Sequence, residues 1–123
     1  MKIPKMLALA VAVAATGALA GDWVLEYHSA RVRYAIYGGG LGDPVAPSGR
    51  EAKVAFEVEG DAAKNLFESM GPDKMEHCSS EPGVRYRSKN DDKLACMVTG
   101  NRHYACYFGF DLKSGKSVGG SIC

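Results

Sequence analysis

A chain of 123 residues with 15 Lys and Arg, 14 Asp and Glu and a net charge of +1 has room for one domain with a real core and none for a second. Near-neutrality excludes a general attraction to nucleic acid or to an anionic membrane, so any partner has to be met by a local patch.

The first twenty residues read as a removable secretion leader. Lys2 and Lys5 make a basic start, Met6 to Ala15 is apolar and uncharged, and Ala18-Leu19-Ala20 has the small-x-small form that precedes cleavage. A membrane anchor needs about 18 to 20 apolar residues, and Thr16 and Gly17 interrupt this run too early. Cleavage after Ala20 leaves residues 21–123 as a single domain. Two basic residues leave with the leader and the net charge becomes −1. No cysteine stands directly after the cut, where Gly21 and Asp22 begin the domain, which disfavours a lipid anchor, and the domain is expected to be periplasmic or secreted.

Trp23-Val24-Leu25 with Tyr27 reads as a further strand or a plug at the core edge. From Ala30 to Tyr37, Val32, Tyr34 and Ile36 alternate with Arg31, Arg33 and Ala35, a period of two that predicts a strand with one face on the core. Ala52 to Glu59 repeats the pattern through Val54, Phe56 and Val58. Pairing of the two places Arg31 and Arg33 on the same outer face as Glu57 and Glu59. Between them, Gly38 to Arg50, with Pro44 and Pro47, reads as a long exposed loop. Gly60-Asp61 opens a helix over about 61–70, with Asp61 as cap or first-turn acid, Ala63, Leu66, Phe67 and Met70 on one face, and Gly71-Pro72 as its stop.

A polar, turn-rich segment follows to Lys93, with a short edge strand around Val84 and Tyr86. Leu94 to Val98 and His103 to Leu112 then predict a hairpin in which Tyr104, Cys106, Phe108, Phe110 and Leu112 share a face, and Ser117 to Cys123 returns as the last strand. The fold class is α+β: a small antiparallel sheet of four to six strands with one helix packed on it.

All four cysteines, Cys78, Cys96, Cys106 and Cys123, follow the leader, and in an oxidising compartment they predict two disulfides. Their spacing lacks the close pairs of a zinc site, and neither His77 nor His103 supplies them, so no metal is expected. If Ser114-Gly115 is a two-residue turn, residue 113 faces 116, Phe110 faces Gly119, Phe108 faces Ser121 and Cys106 faces Cys123 at a non-hydrogen-bonded pair. That register favours Cys106 with Cys123 and leaves Cys78 with Cys96. The rival is a three-residue loop over Gly100 to Arg102, which sets Cys96 opposite Cys106 and leaves Cys78 with Cys123.

Little in the chain points to chemistry. Gly38-Gly39-Gly40 with Gly42 is followed by no Lys-Ser/Thr, so it is a hairpin tip rather than a phosphate loop. No G-x-S-x-G occurs, and the histidines lack a free nucleophile once the cysteines are paired. Glu57, Glu59 and Asp61 could supply paired carboxylates for a small acid/base hydrolase, although two acids alternating on a strand ordinarily form a solvated face. Arg31, Arg33 and Arg85-Tyr86-Arg87 interleave bases with aromatics, but the overall charge argues against nucleic acid. No cofactor is implied.

Recognition by surface remains, since tyrosine offers contact area at little entropic cost. The expected binding residues are Tyr37, Leu41, Asp43 and Arg50 around the glycine loop, with Tyr107 on the outer face. Tyr37 and Tyr107 are expected to be exposed. In size, leader and fold class the chain resembles the small disulfide-stapled envelope proteins of Gram-negative bacteria, some of which inhibit lysozymes or neutralise wall-degrading toxins, although it lacks the serine-glycine-tyrosine signature of lysozyme inhibitors. The resemblance implies a non-enzymatic partner of an envelope or secreted protein such as a cell-wall hydrolase. The alternatives are a structural or stress-related envelope protein with no dedicated site, or the hydrolase.

Overall fold

In the computed structural model the two alternating segments are antiparallel neighbours, β1 (Arg31–Gly40) and β3 (Lys53–Glu59). Their register puts Arg31 opposite Glu59 and Arg33 opposite Glu57, and both pairs close as ion pairs. The structure describes residues 21–75 and 81–121, with Lys2 and Ala12 standing apart from them. The rest of the expected leader, Cys78 and Cys123 lie outside the described residues.

The remaining strands are β2 (Asp43–Val45), β4 (Arg85–Lys89), β5 (Leu94–Val98), β6 (Tyr104–Asp111) and β7 (Ser117–Val118). They form one antiparallel sheet in the order β2-β1-β3-β6-β5-β4, with β7 paired to β6 beyond the end of β5. The α+β class holds; among the described residues the sheet has seven strands, because the glycine loop contributes the short β2, and the expected last strand is only Ser117–Val118.

The helix α1 (Gly60–Ser69) follows β3 without a linker. Gly60 makes the corner at φ +68, a conformation open to glycine at no steric cost. Asp61 sits in the first turn, where a carboxylate complements the helix dipole. Ala63, Phe67 and Met70 are buried against Val58, Cys96, Val98 and Cys106, while Leu66 stays at the margin. At the far end, Arg87 donates to the carbonyls of Phe67 and Met70, and its guanidinium lies 4.2 Å from the centre of the Phe67 ring. Arg85 flanks the same ring at 5.1 Å.

A ten-residue helix is about 15 Å long and 10 Å across, enough to cover two or three strands spaced about 4.8 Å apart. α1 lies on β6, β3 and β5 and leaves β1 bare. Val32, Tyr34 and Ile36 therefore do not join the core as the alternation predicts; they are 44%, 69% and 50% exposed. Trp23, Val24, Leu25 and Tyr27 form neither a strand nor a plug, and all four are exposed.

The preferred disulfide register also fails. Cys96 bonds Cys106, with Cα atoms 4.0 Å apart, and the two stand opposite each other in the β5–β6 register. Counting outward from the hydrogen bond that Thr99 N–H donates to the His103 carbonyl, 96:106 is a non-hydrogen-bonded pair, where side chains approach most closely. The pairings Cys106 with Cys123 and Cys78 with Cys96 are thereby excluded. The two-residue turn at Ser114-Gly115 is not formed either. Asp111 accepts hydrogen bonds from the N–H groups of Lys113 and Ser114, and its own N–H donates to the Lys116 carbonyl. This Asx turn makes a four-residue loop, so Phe110 faces Ser117 and Gly109 faces Val118.

Candidate functional site

The glycine-rich segment is built rather than loose. Gly38, Gly39 and Gly40 pair with Val45, Pro44 and Asp43, so β1 and β2 form a hairpin that turns at Leu41-Gly42. Gly39 is at φ +69, a region that L side chains rarely enter. A Cβ at Gly38 would also come within 2.9 Å of the Ala46 carbonyl oxygen. Gly38 and Gly39 are thus the condition for two backbones to lie this close.

Two side chains brace the hairpin from β3 and its approach. The Gly39 N–H donates to Glu51 Oε1 at 2.8 Å, and Lys53 Nζ donates to the Gly39 carbonyl at 2.6 Å and to Glu51 Oε1 at 2.7 Å. Both backbone polar groups of one residue are held, and the ion pair closes the ring. Lys53 and the Gly39 N–H hold the Glu51 carboxyl below its ordinary pKa, while Glu51 raises that of Lys53. The connector is tied as well: Ser48 Oγ accepts from the N–H groups of Arg50 and Glu51.

The expected binding residues divide between four places. Tyr37 and Leu41 border one shallow hollow of about 380 Å³ with Lys53, Val118 and Ser121. Tyr37 is 7% exposed, not the free ring expected, because it points to the face crossed by Val118 to Ser121. Asp43 is exposed at the start of β2, and Arg50 is exposed in the connector. Tyr107 belongs to a second hollow of about 350 Å³ with Arg33, Ala55, Glu57 and Gly120. It is half-buried, and burial first, then Glu57 and Glu59, raise its pKa.

Glu51 and Lys53 were absent from the expected site. Their signal in the sequence is faint: two residues of opposite charge spaced by two, at the mouth of a strand that faces a glycine run.

Of the three carboxylates proposed for hydrolysis, Glu57 and Glu59 share the outer face of β3, Glu59 paired with Arg31, and Asp61 stands apart from them. Glu57 is bound to Arg33 on the outer face, whereas Asp61 lines a separate hollow at the start of α1 with Lys64, Glu68, Arg102 and His103. Among the described residues, no three His, Cys, Asp or Glu side chains group to hold a metal ion, and no helix is long and apolar enough to cross a membrane. The Cys96–Cys106 bond is compatible with an oxidising extracellular compartment. Comparison with protein-family models, curated proteins and solved structures finds no match to this chain.

Proposed function

We propose that the chain is a small secreted or periplasmic binding protein without an activity of its own, and that the β1–β2 hairpin is its recognition element. The partner is a protein with a cleft, a cell-wall hydrolase of the envelope. The observation that carries this reading is the brace: a surface hairpin with an exposed tip is fixed by Glu51 and Lys53 through both polar groups of Gly39. Fixing a loop before binding removes the entropy cost of ordering it afterwards. Leu41 supplies an apolar contact at the tip and Asp43 a charge beside it, the combination by which a rigid loop enters a concave site.

The test measures lysis of purified peptidoglycan by a muramidase, an amidase and an endopeptidase with and without the protein. Inhibition of one of them is expected, and Leu41→Asp should weaken it at least tenfold while leaving the circular dichroism unchanged. Deletion of Gly39 to Pro47 should abolish it. Undiminished inhibition by both variants would remove the hairpin from the reading, and inhibition of no hydrolase would remove the partner class.

A further inference from the structure

The register of the sheet settles which backbone groups of β1 are in use. The Leu112 N–H donates to the Ala52 carbonyl, at the end of the ladder in which Val54 faces Phe110 and Val58 faces Cys106. In an antiparallel pair, residues that exchange hydrogen bonds alternate with residues that do not. The even-numbered residues of β3 therefore bond to β6 and the odd-numbered ones to β1, where they meet Arg31, Arg33, Ala35 and Tyr37. The N–H and C=O groups of Val32, Tyr34 and Ile36 point to the other edge. There β2 pairs only from Gly38 onward, and among the described residues no strand pairs before it.

The other edges of the sheet are guarded. Along β4 the Lys74 N–H donates to the Tyr86 carbonyl, and Asp73 clamps Arg85 and Arg87 beside it. β2 carries Pro44, which has no N–H to offer a further strand. From Arg31 to Tyr37 the devices that blunt an edge are missing: this stretch has no proline or lysine, and its register runs without a bulge. The exposed side chains of Val32, Tyr34 and Ile36 add an apolar row to the open backbone. Such an edge, with one kind of side chain at alternate positions, is the arrangement by which a sheet takes up an extended peptide.

We propose that β1 receives an extended segment of a partner protein as a further strand, antiparallel to it and in line with β2. The open stretch runs from Arg31 to Tyr37, about 24 Å of strand. It is closed at one end by Ala46, whose carbonyl oxygen would stand 2.9 Å from a Cβ on Gly38. Directly opposite residues of a pair share a face. The incoming residues opposite Val32, Tyr34 and Ile36 thus lie on the side of α1 and are apolar, while those opposite Arg31 and Arg33 lie on the outer face. Charge decides the second set. Arg31 and Arg33 are 80% and 70% exposed, and each has its carboxylate on β3, Glu59 and Glu57. An incoming acid opposite each arginine continues the alternation of charge from strand to strand, whereas a base there sets like charges side by side. The partner segment is therefore one in which apolar and acidic residues alternate. This edge is separate from the hairpin tip, and the inference does not rest on the hydrolase reading.

The probe is the synthetic peptide acetyl-Thr-Val-Thr-Ile-Glu-Val-Glu-amide, ordered so that its isoleucine faces Tyr34 and its glutamates face Arg33 and Arg31. It is titrated into ¹⁵N-labelled protein produced from the full-length reading frame and purified from the periplasm. Saturable binding is expected with a Kd below about 1 mM, and about tenfold weaker binding of the same peptide with lysine in place of both glutamates. Amide exchange should slow most at Val32, Tyr34 and Ile36, and less at Arg33 and Ala35, which are already bonded to β3. Tyr34→Pro removes a donor on the open edge and leaves the bonds to β3 in place, so it should weaken binding about tenfold. Tyr34→Lys interrupts the apolar row without touching the backbone and should weaken it about fivefold, with circular dichroism unchanged.

No saturation by about 1 mM, equal binding of the acidic and basic peptides, or an equal change of exchange along β1 overturns the proposal. So does slow exchange at Val32, Tyr34 and Ile36 before peptide is added. If that protection rises with protein concentration the edge belongs to a second copy, and if it is independent of concentration the edge belongs to the chain's own residues.

Discussion

Asp73 holds two arginines at once, accepting from Arg85 Nε at 2.8 Å and from Arg87 Nε at 2.7 Å. Hydrogen bonds from Arg85 and then Arg87 lower its pKa to about 2. A carboxylate depressed in the folded state stabilises the fold fully above its unfolded pKa of about 3.9 and loses that contribution as pH falls toward the folded value. Thermal stability should therefore decline between about pH 4 and pH 2, and Asp73→Asn should flatten that decline. The carboxylate is 37% exposed, so screening by solvent limits the effect at pH 7 to about 1 kcal/mol. A melting profile with the same acid limb in wild type and variant would contradict this. Glu51, also depressed, acts locally: Glu51→Gln should speed amide exchange at Gly39 and soften the hairpin, while leaving exchange in β6 unchanged. The Arg33–Glu57 pair was legible because a period of two fixes both faces. Asp73 was not, since the segment between α1 and β4 has no period to place it.

At the scale of elements, the strands and the helix followed from alternation and from 3.6-residue spacing, while the turns decided what those patterns could not. The cysteine pairing turned on two loops. The preferred argument assumed a two-residue turn at Ser114-Gly115, but Asp111 satisfies two N–H groups of that loop and widens it to four residues. At the β5–β6 turn the looser register prevails and sets Cys96 against Cys106. Trypsin cuts after Lys93, Arg102 and Lys113, so the two peptides carrying these cysteines should remain joined until reduction and then separate on a mass spectrum. Cys96→Ala with Cys106→Ala should lower the denaturation midpoint by the equivalent of about 2 to 4 kcal/mol, the range expected for closing a short loop in an otherwise free chain. Phe67 is the largest fully buried side chain among the described residues, packed edge-on to Tyr104 at 5.7 Å. Phe67→Ala should cost about 3 to 5 kcal/mol by leaving a cavity beneath α1, measured by equilibrium unfolding in urea.

For the whole molecule, one short helix on a wide sheet sets the distribution of stability. The α+β class was legible from a single amphipathic helix among alternating segments. The extent of its cover was not, because alternation marks which side chains share a face and not whether anything lies on that face. Val32, Tyr34 and Ile36 obey the pattern and remain exposed for that reason. The same geometry gives the central strands two unlike ends. Where β3 and β6 pass under α1, Val58 and Cys106 are opposite each other and buried with Phe67. Toward β7, Phe110 is 37% exposed and, among the described residues, the two-residue β7 pairs with the outer edge of β6 there. Local opening is cheapest where few apolar contacts must be broken. Native-state hydrogen exchange should therefore show amides of Val58, Cys96 and Cys106 released only on global unfolding, and those of Gly109 to Asp111 released faster by at least about tenfold. Phe67→Ala should reduce the gap by weakening the protected end alone. Equal protection along β6 would mean that the sheet opens as one unit and that α1 does not set its stability.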